Sequence, residues 1–479
     1  MEEKQKRIEA FQQGDVGWYE DEFLDLHLGD KRLDKRLGLI INSRMQNPSG
    51  SIPDSMNSWA KTKGAYRFFS NDKADPKLIL DSHKNSTVKR LQDKEIILAV
   101  QDTTDISYSG HKSTEGLGYI NYSEYAMGYH YHPTLAVTVE GTPLGILDSQ
   151  VWTREELNKD MSKQEKYSKN INTPIEEKES YKWLKSYKTL CDIQKNDHSF
   201  HLISVCDREA DIFELFHEHA IIINENKPDL LIRARTDRNI SDGEEKHLFD
   251  ELASITEFSE YEVIVPRKKN SPARETTLRV KFKEVNIEPP NNLRNRNSYQ
   301  KIKLYAITTT EVNPPKGAEP IHWILLTTLP VLNFSDAFEK IEWYRKRWVI
   351  EIFFKTLKSG CKIEDYQFQT FERLKRILAI DSIIAWRILF LTTLGRECPD
   401  LPASILFEEH EWKALHARIY MTKDVPDKIP TLSEVMRQIG KLGGHLGRKS
   451  DGHPGVLTLA KGLYQLYSIS IVWKLLTCG

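Results

Sequence analysis

The chain has 479 residues and a formal net charge of −1, with 68 Lys and Arg against 69 Asp and Glu. This length allows roughly two to four domains and a large core, and the balanced charge excludes strong unspecific attraction to a polyanion, so any nucleic-acid surface must come from local basic patches. The five cysteines form no C-x-x-C pair, which excludes the usual signs of a zinc site or a disulfide framework and fits a reducing cytoplasm.

The start of the chain has helical spacing and predicts a small helical domain over residues 1–75. Its first segment, MEEKQKRIEAF, lacks the apolar core of a signal peptide, so we expect a cytoplasmic protein. Arg32 and Arg36 belong to the basic cluster DKRLDKRL and lie one turn apart in a helix, where they can meet a phosphate backbone together. They can equally form a solvated face that pairs with the neighbouring aspartates.

Two apolar segments further along the chain each end in an aspartate. EIILAVQD predicts a buried strand that brings Asp102 to an edge of a sheet, and FHLISVCD predicts a second strand that does the same for Asp207. Between them, residues 134–152 predict a hairpin and residues 176–193 a helix. A right-handed crossover through that helix returns the second strand parallel to, and beside, the first. We therefore expect Asp102 and Asp207 at like ends of neighbouring strands.

A mostly-β region follows, with five strand-like segments separated by turn-rich stretches. It predicts an inserted β-domain at about 225–335, within a catalytic α/β domain over 76–395. Beyond it, Pro-containing linkers and further helices predict a helical C-terminal domain over 396–479. The amphipathic tail helix GVLTLAKGLYQLYSISIVWKLL either mediates subunit contact or caps the core.

A third acid lies in WYRKRWVIEIFFKTLK, a stretch that is apolar almost wherever it is not charged. If this stretch is one α-helix, Tyr344, Arg347, Glu351 and Lys358 share one narrow wedge of it. A helix that is apolar nearly all round is normally buried. Two interpretations remain open. Either the helix lies in the core and its charged residues form a satisfied ion pair, or the acid points into a polar cleft where the flanking bases neutralise an anionic substrate.

The most membrane-like segment is ILAIDSIIAWRILFLTTL, which directly precedes the C-terminal region. It carries Asp381 and Arg387, and such charges are costly at the centre of a bilayer. We therefore predict a buried helix of a soluble protein and no membrane partner.

Three carboxylates, two at strand ends and one on a helix, form the ligand set that two-metal phosphoryl transfer requires. In that chemistry two Mg²⁺ ions about 3.5–4 Å apart bind the attacking and leaving oxygens of an in-line displacement at phosphorus, and Mg²⁺ prefers oxygen ligands. No Ser-His-Asp, P-loop or G-x-G-x-x-G arrangement competes in the sequence. His130 and His132 could form half of a metal site, but paired histidines near a strand start more often pack and form hydrogen bonds.

These motifs resemble the DDE transposases of the bacterial insertion-sequence-four family. The shared motifs are DTT at the first aspartate, CDREADI at the second, and the signature Y-x2-R-x3-E-x6-K, matched by Tyr344, Arg347, Glu351 and Lys358. The resemblance covers most of the chain and also includes LGDKR, GAYRF, EKESYKW, NPPKG, the Trp of HWILLTT and LGG, with weaker matches in the N-terminal and C-terminal regions. The resemblance implies an α/β fold with an RNase H-like catalytic core and an inserted mostly-β domain, flanked by α-helical N- and C-terminal domains.

The resemblance further implies a cut-and-paste transposase that binds the inverted repeats at transposon ends and the target DNA, as a homodimer in the synaptic complex. Asp102, Asp207 and Glu351 would hold two Mg²⁺ ions, for which Mn²⁺ would substitute. Water would attack one strand, the freed 3′-OH would attack the other to form a hairpin, and after hairpin hydrolysis the 3′-OH ends would join target DNA. Alternatives are a structure-selective nuclease and a catalytically inactive transposase-derived DNA-binding regulator.

The resemblance also implies DNA contacts outside the acids. The motif residues that would hold the phosphates of the transposon end are Tyr344, Arg347 and Lys358. A second basic group would approach DNA or else be solvated charge on a strand and turn: Arg233, Arg235 and Arg238 in LIRARTDR. Trp323 in EPIHWILLTT is either a core residue or the indole on which a flipped base stacks while the hairpin forms.

Overall fold

The structure is a computed structural model of the chain. It describes residues 18–477 apart from 93, 112, 122–124, 155–161, 196, 225, 242, 266–273, 294–295, 318 and 449–450. The charged start of the chain, on which the expectation of no export rests, lies outside the described residues.

One mixed sheet of 11 strands runs through the described part of the molecule. Its strands are β1 (Ile96–Gln101), β2 (Thr104–Ser107), β3 (Gly118–Tyr119), β4 (Met127–Thr138), β5 (Pro143–Trp152), β6 (His201–Cys206), β7 (Asp229–Arg233), β8 (Ser259–Val265), β9 (Arg274–Ile287), β10 (Ile302–Val312) and β11 (His322–Thr327). β1 and β6 are buried along almost their whole length, as expected for apolar strands in the parallel part of a sheet. With helices on both sides of it in the chain, this sheet confirms the predicted α/β class.

The strands that position the two aspartates lie in the order β5-β4-β1-β6-β7. β5 pairs antiparallel with β4, and β4 pairs antiparallel with β1, whereas β6 and β7 continue the sheet parallel to β1. Val100 lies opposite Val205, so β1 and β6 end at the same edge. The predicted hairpin and the predicted parallel pairing of the two acid-ending strands are both confirmed.

The five strands predicted for the inserted β-domain are all present, and they extend the same sheet. β7 is the fifth strand of the core, parallel to β6. β11 pairs antiparallel with β7, and β10, β9 and β8 follow in turn. The insertion therefore shares its hydrogen-bonded ladder with the strands that carry the acids.

Helices account for both ends of the described chain. Before the sheet these are α1 (Trp18–Glu22), α2 (Lys31–Gln46), α3 (Ile52–Met56), α4 (Trp59–Phe69) and α5 (Pro76–Leu91). Between strands they are α6 (Lys163–Asn172), α7 (Tyr181–Gln194), α8 (Phe213–Ile221) and α9 (Leu248–Ser254). After the sheet they are α10 (Phe334–Arg345), α11 (Trp348–Lys355), α12 (Phe371–Glu397), α13 (Glu409–Tyr420), α14 (Leu432–Leu442) and α15 (Val456–Thr477). Several begin at caps that the sequence supplies, such as Asp30 for α2 and Asp75 with Pro76 for α5.

The stretch that contains the third acid is not the single helix considered from its sequence. α10 ends at Arg345, a tight turn follows in which the Arg347 N–H donates to the Tyr344 carbonyl, and α11 then begins. A π-turn over Thr356–Gly360 continues from α11. Both short helices pack on the same core, so apolar residues continue through the turn between them. The apolar pattern of the sequence therefore gives no sign that the helix is interrupted.

The membrane-like segment is the buried helix α12. It is long and apolar enough to cross a membrane, but 83% of its most apolar window is buried inside the protein. Its Asp381 binds Arg44 of α2, and its Trp386 donates a hydrogen bond to the Pro143 carbonyl at 2.9 Å. The prediction of a core helix is confirmed.

The tail helix α15 has two different ends. Leu459 and Leu466 are buried in a cluster with α13 and α14. Towards its end, Leu475 and Leu476 are about three-quarters exposed (75% and 77%). The helix thus caps its own helical domain and presents an uncovered apolar end.

Candidate active site

The first aspartate lies at the point where β1 gives way to β2. The Thr103 N–H donates to the Asp102 Oδ1 at 2.7 Å, which fixes the orientation of that carboxylate. Asp207 directly follows β6, and its Oδ1 accepts the Glu209 N–H at 2.9 Å, so that it caps a short 3₁₀ turn. The parallel pairing of β1 and β6 therefore brings the two aspartates to one edge of the sheet, as predicted.

The third acid reaches the same edge through an arginine. On α11, Glu351 Oε1 lies 3.7 Å from Arg347 Nη2, while Arg347 Nη1 lies 2.7 Å from Asp102 Oδ2. The guanidinium of Arg347 is largely buried and joins Asp102 to Glu351. The structure thus gathers Asp102, Asp207, Arg347 and Glu351, three acids around one fixed cation.

Burial and a neighbouring carboxylate raise the pKa of both aspartates. Burial raises the pKa of Asp102 above its ordinary value, and the charge of Glu351 adds to the rise while Arg347 opposes it. Burial likewise raises the pKa of Asp207, followed by repulsion from Asp102. The site therefore holds more negative charge than Arg347 balances, which favours an added cation.

The donor set fits a divalent ion by its chemistry. All three side chains are carboxylates, the ligands that Mg²⁺ and Mn²⁺ prefer. Among the described residues, no three His, Cys, Asp or Glu side chains lie close enough to hold a metal ion in this conformation. Here Arg347 supplies the positive charge between Asp102 and Glu351.

Beside the acids lies a group formed by Trp323, Tyr344 and Arg233. The rings of Trp323 and Tyr344 meet edge to face, with centroids 5.6 Å apart. Tyr344 is buried, and burial raises the pKa of its hydroxyl while the nearby charges of Arg347 and Arg233 oppose the rise. Arg233 donates to the His322 carbonyl at 3.2 Å. Trp323 is only partly buried, at the margin of the core. An indole edge and a guanidinium thus continue the surface that begins at the acids.

Lys358 lies on the π-turn after α11. Its Nζ is 4.0 Å from the Glu364 Oε1, which in turn accepts the Ser107 N–H at 2.8 Å. Glu364 thereby ties this turn to β2, a connection that the sequence signature did not indicate. Turns of the π type are common at functional sites.

The basic group LIRARTDR divides into three different environments. Arg233 is half-buried beside Tyr344, and Arg235 is exposed. Arg238 does not fit the expected DNA contact, because its guanidinium is buried and bound to the Asp211 carboxylate and carbonyl. An arginine enclosed in this way cannot reach a phosphate, so Arg238 has a structural role in this conformation.

The N-terminal basic cluster lies on α2, as its spacing predicted. Arg32 is exposed and pairs with Asp30 at 3.0 Å, which matches the alternative of a solvated face. Arg36 packs against α4, where a Cβ at Gly64 would collide with its guanidinium. Arg36 thus lies between two helices of the N-terminal region.

The histidine pair packs and forms hydrogen bonds, as expected. His130 Nδ1 lies 2.7 Å from Asp105, and its ring stacks on Trp152. His132 is fully buried, with Nδ1 3.0 Å from the Thr103 hydroxyl. Burial and then the nearby charge of Lys182 hold the pKa of His132 well below its ordinary value, so the ring is neutral.

Comparison with known families agrees with this geometry. The family described as "Transposase DNA-binding" matches residues 15–74, "Transposase DDE domain" matches 223–386, and "Transposase Tn5 dimerisation domain" matches 383–472. The chain belongs to the Tn5-like DDE transposases. It is therefore a DNA transposase with an RNase H-like core, and the predicted family and fold class are confirmed.

The match to the DDE domain includes Glu351 and Trp323 but begins after both aspartates. Among solved structures, one described as "piggyBac transposase synaptic complex with hairpin DNA" is similar over 88% of this chain and 78% of that one, with 12% identity and a TM-score of 0.34. A likeness this distant adds nothing to the description of the site.

Proposed function

We propose that this transposase moves a DNA segment by a cut-and-paste reaction, with Asp102, Asp207 and Glu351 as its catalytic acids. The observation that carries the proposal is their convergence: two strand ends made adjacent by β1 and β6, and one helix joined to them through Arg347. Three carboxylates gathered around one arginine carry excess negative charge whose repulsion works against folding, an arrangement that clusters at functional sites.

The three acids would hold two Mg²⁺ ions, for which Mn²⁺ would substitute. Bound ions of this kind lower the pKa of a water nucleophile and stabilise charge on the attacking and leaving oxygens. The Thr103 N–H keeps the Asp102 carboxylate oriented for this role, and the Glu209 N–H does the same for Asp207.

The bases beside the acids would bind the phosphates of the transposon end. Arg347 always carries its positive charge. It now pairs with the Asp102 carboxylate, and a DNA phosphate can take that place because arginine binds both groups with the same pair of N–H donors. Tyr344 and Arg233 extend this surface, and Lys358 and the exposed Arg235 would add to it. Arg238 is left out, because Asp211 encloses it.

The reaction would proceed through a hairpin on the transposon end. Water attacks one strand and frees a 3′-OH, which then attacks the opposite strand; the hairpin is hydrolysed, and the 3′-OH finally attacks target DNA. Hairpin formation requires a tight strand turn that is easier when a base leaves the stack. Trp323, partly buried beside Tyr344, offers a ring on which that base would stack.

The flanking regions would supply recognition and pairing. We assign residues 1–75 to binding of the end repeats, 76–395 to catalysis and 396–479 to dimerisation in the synaptic complex. The exposed apolar end of α15 is a surface that a second copy would cover. The four described cysteines are free, which fits a reducing cytoplasm.

The test is a reaction with DNA fragments that carry the inverted repeats flanking the gene. With Mg²⁺, denaturing gels are expected to show a nick, then a hairpin, then excised ends, and a target plasmid is expected to acquire them. A chelator provides the control without metal ion. Cleavage that ignores the repeats and yields no joined product would indicate a structure-selective nuclease, and end binding without cleavage an inactive regulator; either result contradicts the proposal.

A further inference from the structure

The main chain at Asp102 lies in a gap of a β-ladder. β1 and β2 both pair with β4 in one register, since Gln101 lies opposite Thr134 and Thr104 lies opposite Tyr131. Asp102 and Thr103 fall between these pairs, and the strand on the other side, β6, ends at Cys206. The main chain of these two residues therefore needs a support besides strand pairing, since the Arg347 contact reaches only the Asp102 side chain.

That support comes from β4 through a side-chain contact. By the same register His132 lies across from Thr103, and its Nδ1 shares a hydrogen bond of 3.0 Å with the Thr103 hydroxyl. The Thr103 N–H in turn donates to the Asp102 Oδ1 at 2.7 Å. A continuous chain of contacts thus runs from His132 through Thr103 to the Asp102 carboxylate.

His132 is more deeply buried than Thr103, the residue that it contacts. Its side chain is fully buried, and its ring stands perpendicular to the indole of Trp183, with centroids 4.6 Å apart. Its Nε2 is buried without a hydrogen-bond partner among the described residues. Burial of a polar ring at this cost indicates that the Nδ1 contact is needed, because an apolar residue would fill the same space without the unpaired nitrogen.

We propose that His132 and Thr103 are positioning residues, which hold the Asp102 carboxylate in the orientation that metal binding requires. This inference rests on the proposed function, in which Asp102 is a metal ligand. Residues that orient a metal ligand in this way typically contribute about 10–100-fold to metal affinity. Neither residue touches the metal ion or the DNA in this proposal.

The experiment is a titration of the full-length transposase with Mn²⁺, followed by the EPR signal of the free ion. Thr103→Val removes the hydroxyl with little change in volume, and Thr103→Ser keeps it. We expect Thr103→Val to weaken Mn²⁺ binding about tenfold or more, and Thr103→Ser to stay close to the wild type. Thr104→Val is the matched control, because the Thr104 hydroxyl makes no hydrogen bond in the described part of the chain.

A second pair keeps the test open if Thr103→Val does not fold. His132→Asn places an amide near the position of Nδ1, whereas His132→Gln places it near Nε2. We expect Asn to retain Mn²⁺ affinity and Gln to lose it, with both melting temperatures recorded. Equal Mn²⁺ affinity in all variants, or a loss that follows melting temperature alone, would overturn the inference.

Asp102→Asn separates this inference from the proposed function. If Asp102→Asn loses Mn²⁺ affinity while Thr103→Val keeps it, the positioning role is wrong and the metal site stands. If Asp102→Asn binds Mn²⁺ as the wild type does, Asp102 is not a ligand and both proposals fall.

Discussion

The buried ion pair between Arg44 and Asp381 joins the DNA-binding region to the core, and Asp381→Asn is expected to weaken both stability and function. Both side chains have 0% exposure, and Asp381 accepts two hydrogen bonds of 3.1 Å from the guanidinium. The Tyr366 hydroxyl adds a third at 2.8 Å. Arg44 lies on α2, within the match to the DNA-binding family, and Asp381 lies on α12.

The magnitude follows from this geometry. Removing one partner of a buried pair leaves an uncompensated charge and costs about 3–5 kcal/mol. Asparagine keeps the shape of aspartate and one of its oxygens, so we expect a loss near the lower end, about 3 kcal/mol. The other hydrogen bonds of Arg44 go to uncharged oxygens and cannot balance its charge; the acceptors are the carbonyls of Asn47, Pro48, Gly50 and Cys361 and the Ser55 hydroxyl.

Urea unfolding followed by fluorescence and by circular dichroism measures this loss, provided that the two probes agree. Glu409→Gln is the control, because its exposed pair with Lys413 is worth only about 0.3–0.5 kcal/mol. We expect Asp381→Asn also to retain some end binding but to cleave poorly, since α2 would no longer be fixed against α12. An unfolding free energy within about 1 kcal/mol of the wild type would refute this reasoning.

Three further changes address DNA handling. Trp323→Ala is expected to permit the first nick but slow hairpin formation, with partial rescue when the base to be flipped is removed; equal loss of both steps with a lower melting temperature would make Trp323 a core residue only. Neutralising Arg32 and Arg36 should weaken end binding and flatten its salt dependence, and unchanged affinity across a salt series would place recognition elsewhere. Leu475→Glu with Leu476→Glu should keep single-end binding but lose the paired complex on gels, whereas normal pairing would place the dimer interface elsewhere.

The convergence of the two aspartates could be predicted from the sequence for a definite reason. Apolar runs that end in an acid mark buried strands, and the handedness of the crossover leaves one arrangement for β1 and β6. The four-residue spacing of Arg347 and Glu351 predicted that they lie close together, and they do, because both follow the break after α10. The break itself was hidden, since apolar residues continue through it.

Other features depend on partners that are distant in sequence. Nothing in LIRARTDR distinguishes Arg238, which Asp211 encloses, from Arg235, which is exposed. β7 was predicted as part of the inserted β-domain, and only its parallel pairing with β6 in the structure shows that it is a core strand. Likewise, the contact of Thr103 with His132 appears only once β4 is aligned with β1 and β2. Burial and strand register depend on how distant segments of the chain pack together, so local sequence periodicity does not predict them.

The central claim is that Asp102, Asp207 and Glu351 form one catalytic site, and the most direct test is cleavage of repeat-bearing DNA by the three single alanine variants. Each variant is expected to lose Mg²⁺-dependent cleavage and strand transfer while its affinity for the transposon end stays close to that of the wild type, because the acids act at the reacting phosphorus. Retained Mg²⁺-dependent cleavage in any one variant would remove that residue from the site and contradict the account.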